Sequence, residues 1–211
     1  MSHTLGVRQA QKQKTRQALL DAALELLAEQ SLSSLGLREV TRAVGVAPTA
    51  FYRHFRCTAD LGVALVDEAL GSLHPLIRAA VGGTEDSDQR ITRAVELIER
   101  HVAAHPAHVR FIAREQHGGV QRVRTAIRDQ LARFTEEVRE QLAQDPESAG
   151  WSEDELRMLA GVYVDQMLIT ASRFLEAVEA GAAGEEERRR LSRTAADQLR
   201  LISLGRTHWR D

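Results

Sequence analysis

The side chains best suited to chemistry in this 211-residue chain are concentrated in one stretch, Pro48-Thr49-Ala50-Phe51-Tyr52-Arg53-His54-Phe55. If the stretch is helical, Phe51 and Phe55 lie four residues apart and turn inward together, which leaves Thr49, Tyr52 and Arg53 on the outward side. A hydroxyl, a phenol and a guanidinium on one exposed face suit a line of phosphate oxygens. The chemistry implied is therefore non-covalent recognition of a polyanion.

The elements around the stretch fit that use. Leu37, Val40 and Val44 recur at helical spacing, Gly45 follows where a left-handed C-terminal turn is wanted, and Pro48 opens a second short helix. The spacing predicts a helix-turn-helix whose second helix enters a groove of double-stranded DNA. Leu19, Ala22, Ala23, Leu26 and Leu27 predict an earlier helix over about residues 14–30, with Lys14 and Arg16 near its exposed start. Cations at a helix N-terminus oppose its dipole, a small cost that makes sense if they are held for phosphates. Ser31 to Ser34 read as the connecting loop, with Ser34 as a cap. Residues 1–12 lack apolar periodicity and are predicted to be a mobile arm, with Arg8 and Lys12 as its charged contacts.

The net charge of -2 hides an asymmetry. Residues 1–56 carry eight Lys and Arg against four Asp and Glu, a balance of +4, which leaves -6 for the remainder. Both lysines of the chain, Lys12 and Lys14, lie in this first part. A basic quarter on an acidic body points to a polyanion partner for the first part only. With 43% hydrophobic and 27% charged residues and no apolar run long enough to span a bilayer, a cytoplasmic protein with no membrane partner is expected. The segment from Met1 to Arg16 has no apolar core for a secretory signal.

Cys57, the single cysteine, excludes an internal disulfide and a multi-cysteine metal site. His101, His105 and His108 are spaced across Pro106, which should break any helix carrying them. Without a phosphate-cradling glycine motif, an HExxH pair or a serine elbow, no catalytic residue, metal ligand or cofactor is expected, and the chain does not read as an enzyme.

After Phe55 the pattern is helical throughout. Leu61, Leu65, Ala69, Leu73 and Leu76 predict one long fourth helix ended by Gly82-Gly83. Ile91, Val95, Ile98 and Val102 predict a fifth, closed by His105-Pro106, and Phe111 and Ile112 a short sixth. Gly118-Gly119 then breaks the chain before a stripe running from Val120 through Val123, Ile127, Leu131, Phe134 and Val138 to Leu142. From Leu156 to Val178 the chain is apolar on more than one face, as expected if one face meets its own body and the other a second copy in a homodimer. A last helix starts near Glu185, where Glu185-Glu186-Glu187 precede Arg188-Arg189-Arg190 as a solvated, ion-paired first turn. The expected fold is all-α, with about nine helices: a three-helix DNA-binding domain over 1–56 and a helical dimerisation body over 57–211, to which the resemblance described next adds effector binding.

The residues Val46 to Phe55 closely resemble the recognition helix of the TetR family of transcriptional regulators, whose signature ends in Tyr, a variable residue, His and Phe. The resemblance implies a dimeric repressor whose operator affinity is shifted by an effector bound in the body. It implies a base contact from Arg38, base and backbone contacts from Thr49 and Ala50, and phosphate contacts from Tyr52 and His54. The candidate DNA-binding set is then Arg8, Lys12, Lys14, Arg16, Arg38, Pro48, Thr49, Ala50, Tyr52, Arg53 and His54. Ala47 and Thr58 depart from the family, which often has Ser and Lys there.

Residues 6–16, 47–56 and 198–203 are also similar to the repressors of unsaturated fatty acid synthesis and acyl desaturation. This implies a long-chain acyl thioester, an acyl-CoA, as effector. A tunnel for such a chain needs apolar walls, which makes Phe111, Ile127, Phe134, Tyr163 and Met167 the candidate effector-binding residues. The competing expectation is another hydrophobic small molecule such as a drug, against which the low aromatic content argues.

Overall fold

A computed structural model describes residues 2–81, 86–181 and 184–209, with the side chains of 2–6 and 79–81 left aside. Among these residues it is all-helical: ten α-helices and one 3-10 turn, with no strand. By chain packing it divides into two compact units, 1–69 with 110–127, and 70–109 with 128–211. Packing thus groups residues 57–69 and 110–127 with the basic segment 1–56.

In the first unit, α1 (Ser2–Leu26), α2 (Leu37–Val44) and α3 (Pro48–Phe51) are followed by most of α4 (Thr58–Gly71). Over residues 2–12 the arm predicted for 1–12 is instead the start of α1, and Met1 lies outside the described residues. Gln, Lys, Arg and Ala between Arg8 and Arg16 all favour helix, and once 15–26 is fixed by packing each added residue gains a hydrogen bond without a new nucleation cost. Leu19, Leu20, Ala23, Val40 and Phe51 are fully buried and Phe55 nearly so. The Phe51 and Phe55 ring centroids lie 5.5 Å apart, as their spacing required. Burial of each ring stabilises the unit by roughly 1.5–3 kcal/mol.

Gly36, not Ser34, caps α2: the Gly36 N–H donates to Glu39 Oε2 at 2.9 Å, and the Ser34 hydroxyl is turned to the Ser31 carbonyl at 2.8 Å. At the other end Gly45 adopts φ 72° and ψ 29°, while the Val46 N–H reaches the Thr41 carbonyl at 3.0 Å and the Gly45 N–H the Arg42 carbonyl at 3.1 Å. This closing pattern requires a residue that accepts a left-handed conformation, and glycine does so without strain.

Two residues at the end of α7 (Pro106–Glu115) brace the α1–α2 connection. Arg114 donates to the carbonyls of Leu27, Ala28 and Gln30 at 2.8–3.2 Å, satisfying the open end of α1, and buried Glu115 accepts the Leu32 N–H at 2.8 Å. Gly62 in α4 permits a further close approach, since a Cβ there would fall 2.4 Å from Leu32 and 2.8 Å from Val123 of α8 (Gln121–Gln144).

The long fourth helix expected over 61–76 is two helices, α4 and α5 (His74–Val81). Pro75 is the reason. It has no N–H to donate to the Gly71 carbonyl and its ring displaces that carbonyl, so the helix stops at Gly71 and restarts. This break raises the expected nine helices to ten, and Gly82-Gly83 lie outside the described residues.

The second unit holds α5, α6 (Ser87–Ala104), the rest of α8, a 3-10 turn (Pro146–Ser148), α9 (Glu153–Glu179) and α10 (Gly184–His208). Its core joins Ile91, Val95 and Val102 of α6 to Phe174 and Leu175 of α9 and Ala195 and Leu199 of α10. Ser152 and Glu155 form a reciprocal capping box at the start of α9. The Glu185–Arg188 and Glu187–Arg190 pairs brace the first turns of α10 as its charge order predicts.

Candidate functional site

The first unit carries the expected polyanion-binding residues on α1, α2 and α3 and just after α3. Arg8, Lys12 and Lys14 are exposed on α1, Arg38 on α2, and Pro48, Thr49, Tyr52 and Arg53 in or just after α3, with Tyr52 61% exposed. Ala50 and His54 are half-buried. Arg16 is also half-buried, and its guanidinium stacks 5.2 Å from the Phe55 ring centroid, which ties α1 to the end of the helix-turn-helix. Pro48 sits at the start of α3, where its missing N–H costs nothing. α3 is only one turn long by its hydrogen bonds, but the Arg53, His54 and Phe55 N–H groups return to Ala50 and Phe51 and carry the coil onward.

His54 Nδ1 is buried without a hydrogen-bond partner. Burial, then the charges of Lys12, Arg16 and Arg53, hold the His54 imidazole below its ordinary range. A phosphate beside it would offset those cations and favour the protonated ring. Cys57 is exposed, next to Arg122, and Arg122 with Arg56 engages Asp60 at the start of α4. Those two cations are therefore less free for phosphates than Arg53 or Arg38.

The second unit contains two adjoining cavities. One, of about 110 Å³, lies between α5, α6, α8 and α9 and is walled by side chains such as Leu73, Ile77, Leu97, Phe134 and Leu168. His101 is its one titratable lining residue. Burial, reinforced by His105 and His108, lowers the His101 pKa to about 4, so it faces the cavity as a neutral ring. The other, of about 90 Å³, is polar at one end, where Arg90, Asp145, Tyr163, Ser203 and Arg206 converge. Ala94, Val138 and Met167 line both.

Of the candidate effector residues the structure brings Phe134, Tyr163 and Met167 to these cavities. Phe111 and Ile127 do not line them: they are buried to 2% and 1% exposure in the core of the first unit. An apolar stripe marks burial and does not distinguish a packed wall from a hollow one. Sequence reasoning missed His101, Arg90, Asp145 and Arg206. The last three are some sixty residues apart along the chain, and no local spacing joins them. The His101 and His105 rings lie tilted with centroids 4.9 Å apart, and the His105 and His108 rings lie T-shaped at 5.9 Å, but among the described residues no group of His, Cys, Asp or Glu has metal-binding geometry.

Two helices of the second unit also leave apolar side chains in solvent. Met158, Val162 and Ile169 follow one face of α9, while Leu201 and Leu204 lie on α10, all at 45% exposure or more. The opposite face of α9 buries Leu156, Leu159, Val164 and Phe174. No described helix is long and apolar enough to cross a membrane.

Residues 19–65 match the model of bacterial regulatory proteins of the tetR family, so this segment is a TetR-type domain. Solved structures share the fold. The FadR transcriptional regulator of Bacillus subtilis, solved in complex with stearoyl-CoA, superposes with a TM-score of 0.68 at 15% identity over 87% of this chain and 96% of that one. The fatty acid degradation regulator FadR of Bacillus halodurans gives 0.67 at 16% identity over 86% and 94%. A regulatory protein TetR of Rhodobacter sphaeroides gives 0.60 at 23% identity over 86% and 96%.

Proposed function

We propose that this regulator is a homodimeric repressor that binds a double-stranded DNA operator through Arg38, Pro48, Thr49, Ala50, Tyr52, Arg53 and His54. Arg8, Lys12, Lys14 and Arg16 neutralise flanking phosphates, and a long-chain acyl thioester bound in the body sets the operator affinity. The genes under its control are those of unsaturated fatty acid synthesis. The division of labour follows 1–56 for DNA and 57–211 for effector and dimer, with Met158, Val162, Ile169, Leu201 and Leu204 as the dimer face.

The observation that carries the effector reading is the aliphatic cavity, in which Phe134 is the one phenyl, phenol or indole ring. A flat aromatic drug would find little to stack on, whereas a methylene chain needs only apolar walls. Likeness to a regulator solved with stearoyl-CoA supports the same reading. An apolar cavity of ~150 Å³ holds about one benzene, so a long chain must displace side chains. Met167, lining both cavities and unbranched, is the natural one to move. The chain crosses between the two units inside α4, α7 and α8, which supports coupling a rearranged body to the DNA-binding unit. Titrating saturated and unsaturated acyl-CoAs into a gel-shift assay on the chain's own upstream region tests the reading. A sloped response to one or both is expected, and equal operator affinity with either ligand and with none overturns it.

A further inference from the structure

We infer that the cavity framed by Arg90, Asp145, Tyr163 and Arg206 recognises an uncharged hydrogen-bond acceptor, such as the carbonyl of an ester or thioester, and turns away a free carboxylate. The inference rests on the reading that the body binds a long apolar chain, and adds what the polar end of that chain must be.

Arg206 on α10 is 4% exposed. Its Nη1 donates to Asp145 Oδ2 at 3.2 Å, its Nη2 pairs with Glu147, and Arg90 Nη2 reaches the same Asp145 oxygen at 3.1 Å. Two guanidiniums thus face two carboxylates, and the cluster is neutral before any ligand arrives. What it lacks is an acceptor: Arg206 Nε is buried with no hydrogen-bond partner. A buried N–H without a partner loses its hydration and gains nothing in return, so a ligand oxygen placed there is favoured. The hydroxyls beside it extend the polar surface. Ser87 Oγ lies 3.0 Å from Ser203 Oγ, and Tyr163 is hydrogen-bonded to Ser203 and kept protonated by burial.

A neutral carbonyl satisfies the open donor and leaves the charge balance untouched. A carboxylate would add a third negative charge to a part-buried cluster that already has its complement, and desolvating it beside Asp145 is unfavourable. The adjoining rim repeats the sign, with Asp86, Asp88 and Glu147 against Arg200. That rim disfavours phosphates too, so the phosphates of a coenzyme carrier have to lie away from it. From the polar end the wall continues past Ala94, Val138 and Met167 into the aliphatic cavity, which is the arrangement an acyl ester needs.

The test compares methyl palmitate with palmitate, which share one chain and differ in the charge of the head, by displacement of a fluorescent acyl probe from the purified full chain at neutral pH. The ester should bind at least about tenfold more tightly than the acid. Asp145→Asn removes the charge but keeps the cap on the Glu147 N–H, because Asn serves as well as Asp there. It should shrink the preference for ester over acid about tenfold. Palmitate binding the wild type as tightly as the ester overturns the inference, as does an Asp145→Asn chain that folds by circular dichroism and still rejects the acid. The wild-type ratio carries the test if that variant does not fold. Palmitoyl-CoA is titrated in parallel: its failure beside a binding ester sinks the thioester reading alone, and failure of all three ligands sinks both.

Discussion

Gly45→Ala isolates the strain that the helix-turn-helix places on one backbone position. A Cβ at Gly45 would meet nothing within 4 Å, so the substitution adds no clash, and its φ of 72° is the whole of its effect. Holding a non-glycine residue in the left-handed region costs about 1–2 kcal/mol, against which the stiffer unfolded chain returns about 0.4–1 kcal/mol. The net expectation is a loss of about 1 kcal/mol, or roughly 0.3–1 M in urea midpoint at ordinary slopes. Gly45→Asn should lose less, because Asn tolerates this conformation better than Ala. Both tryptophans, Trp151 and Trp209, belong to the second unit, so their fluorescence does not report the change. Far-UV circular dichroism, with hydrogen exchange of residues 37–55, does. An Ala variant as stable as wild type, or an Asn variant less stable than Ala, refutes the reasoning.

Replacing Arg8, Lys12 and Lys14 together by Ala should flatten the dependence of operator affinity on salt by up to about 2.7 in log–log slope, near 0.9 per lost phosphate contact; an unchanged slope shows that the start of α1 is idle on DNA. His101 titrates near 4 in the folded chain against 6.5 for the free ring, so the unfolded state alone binds the proton as pH falls from 6.5 toward 4. The contribution is absent above pH 6.5 and grows more destabilising as pH falls through that window. His101→Leu should therefore lose less stability on acidification than wild type, and parallel melting curves from pH 7 to 4.5 contradict this. Phe134→Ala, which opens the wall where the His74 ring packs 4.6 Å from the Phe134 ring, should cost about 3–5 kcal/mol in stability. In a chain that remains folded it should also blur the difference between straight and kinked acyl chains while leaving ligand-free operator affinity nearly unchanged. Equal discrimination before and after removes Phe134 from the effector site.

The helix-turn-helix was legible in the sequence because its signals are local: Gly45 and Pro48 have fixed geometric uses, and Phe51 with Phe55 can only turn inward together. The helical reading of α1 failed over its first twelve residues because amphipathic periodicity reports burial, and a solvated helix extending a packed one has no need of it. The single long helix over 61–76 is broken at Pro75, because the leucine stripe continues across the break and reports burial on both sides of it alike. Of the candidate effector residues, Phe134, Tyr163 and Met167 line the cavities and Phe111 and Ile127 do not, since a core wall and a cavity wall read alike. The Arg90, Asp145 and Arg206 cluster depends on three helix ends meeting, which spacing in one chain does not encode.

The most direct test of the central claim is the operator affinity of the purified chain, measured by fluorescence anisotropy at fixed salt, with no ligand, with palmitoyl-CoA and with oleoyl-CoA. A ligand shifts that affinity only as far as it prefers one arrangement of the protein over the other. The account predicts a change of about 5- to 150-fold for at least one ligand, the range of a coupling of about 1–3 kcal/mol. An operator affinity that is the same in all three conditions contradicts it.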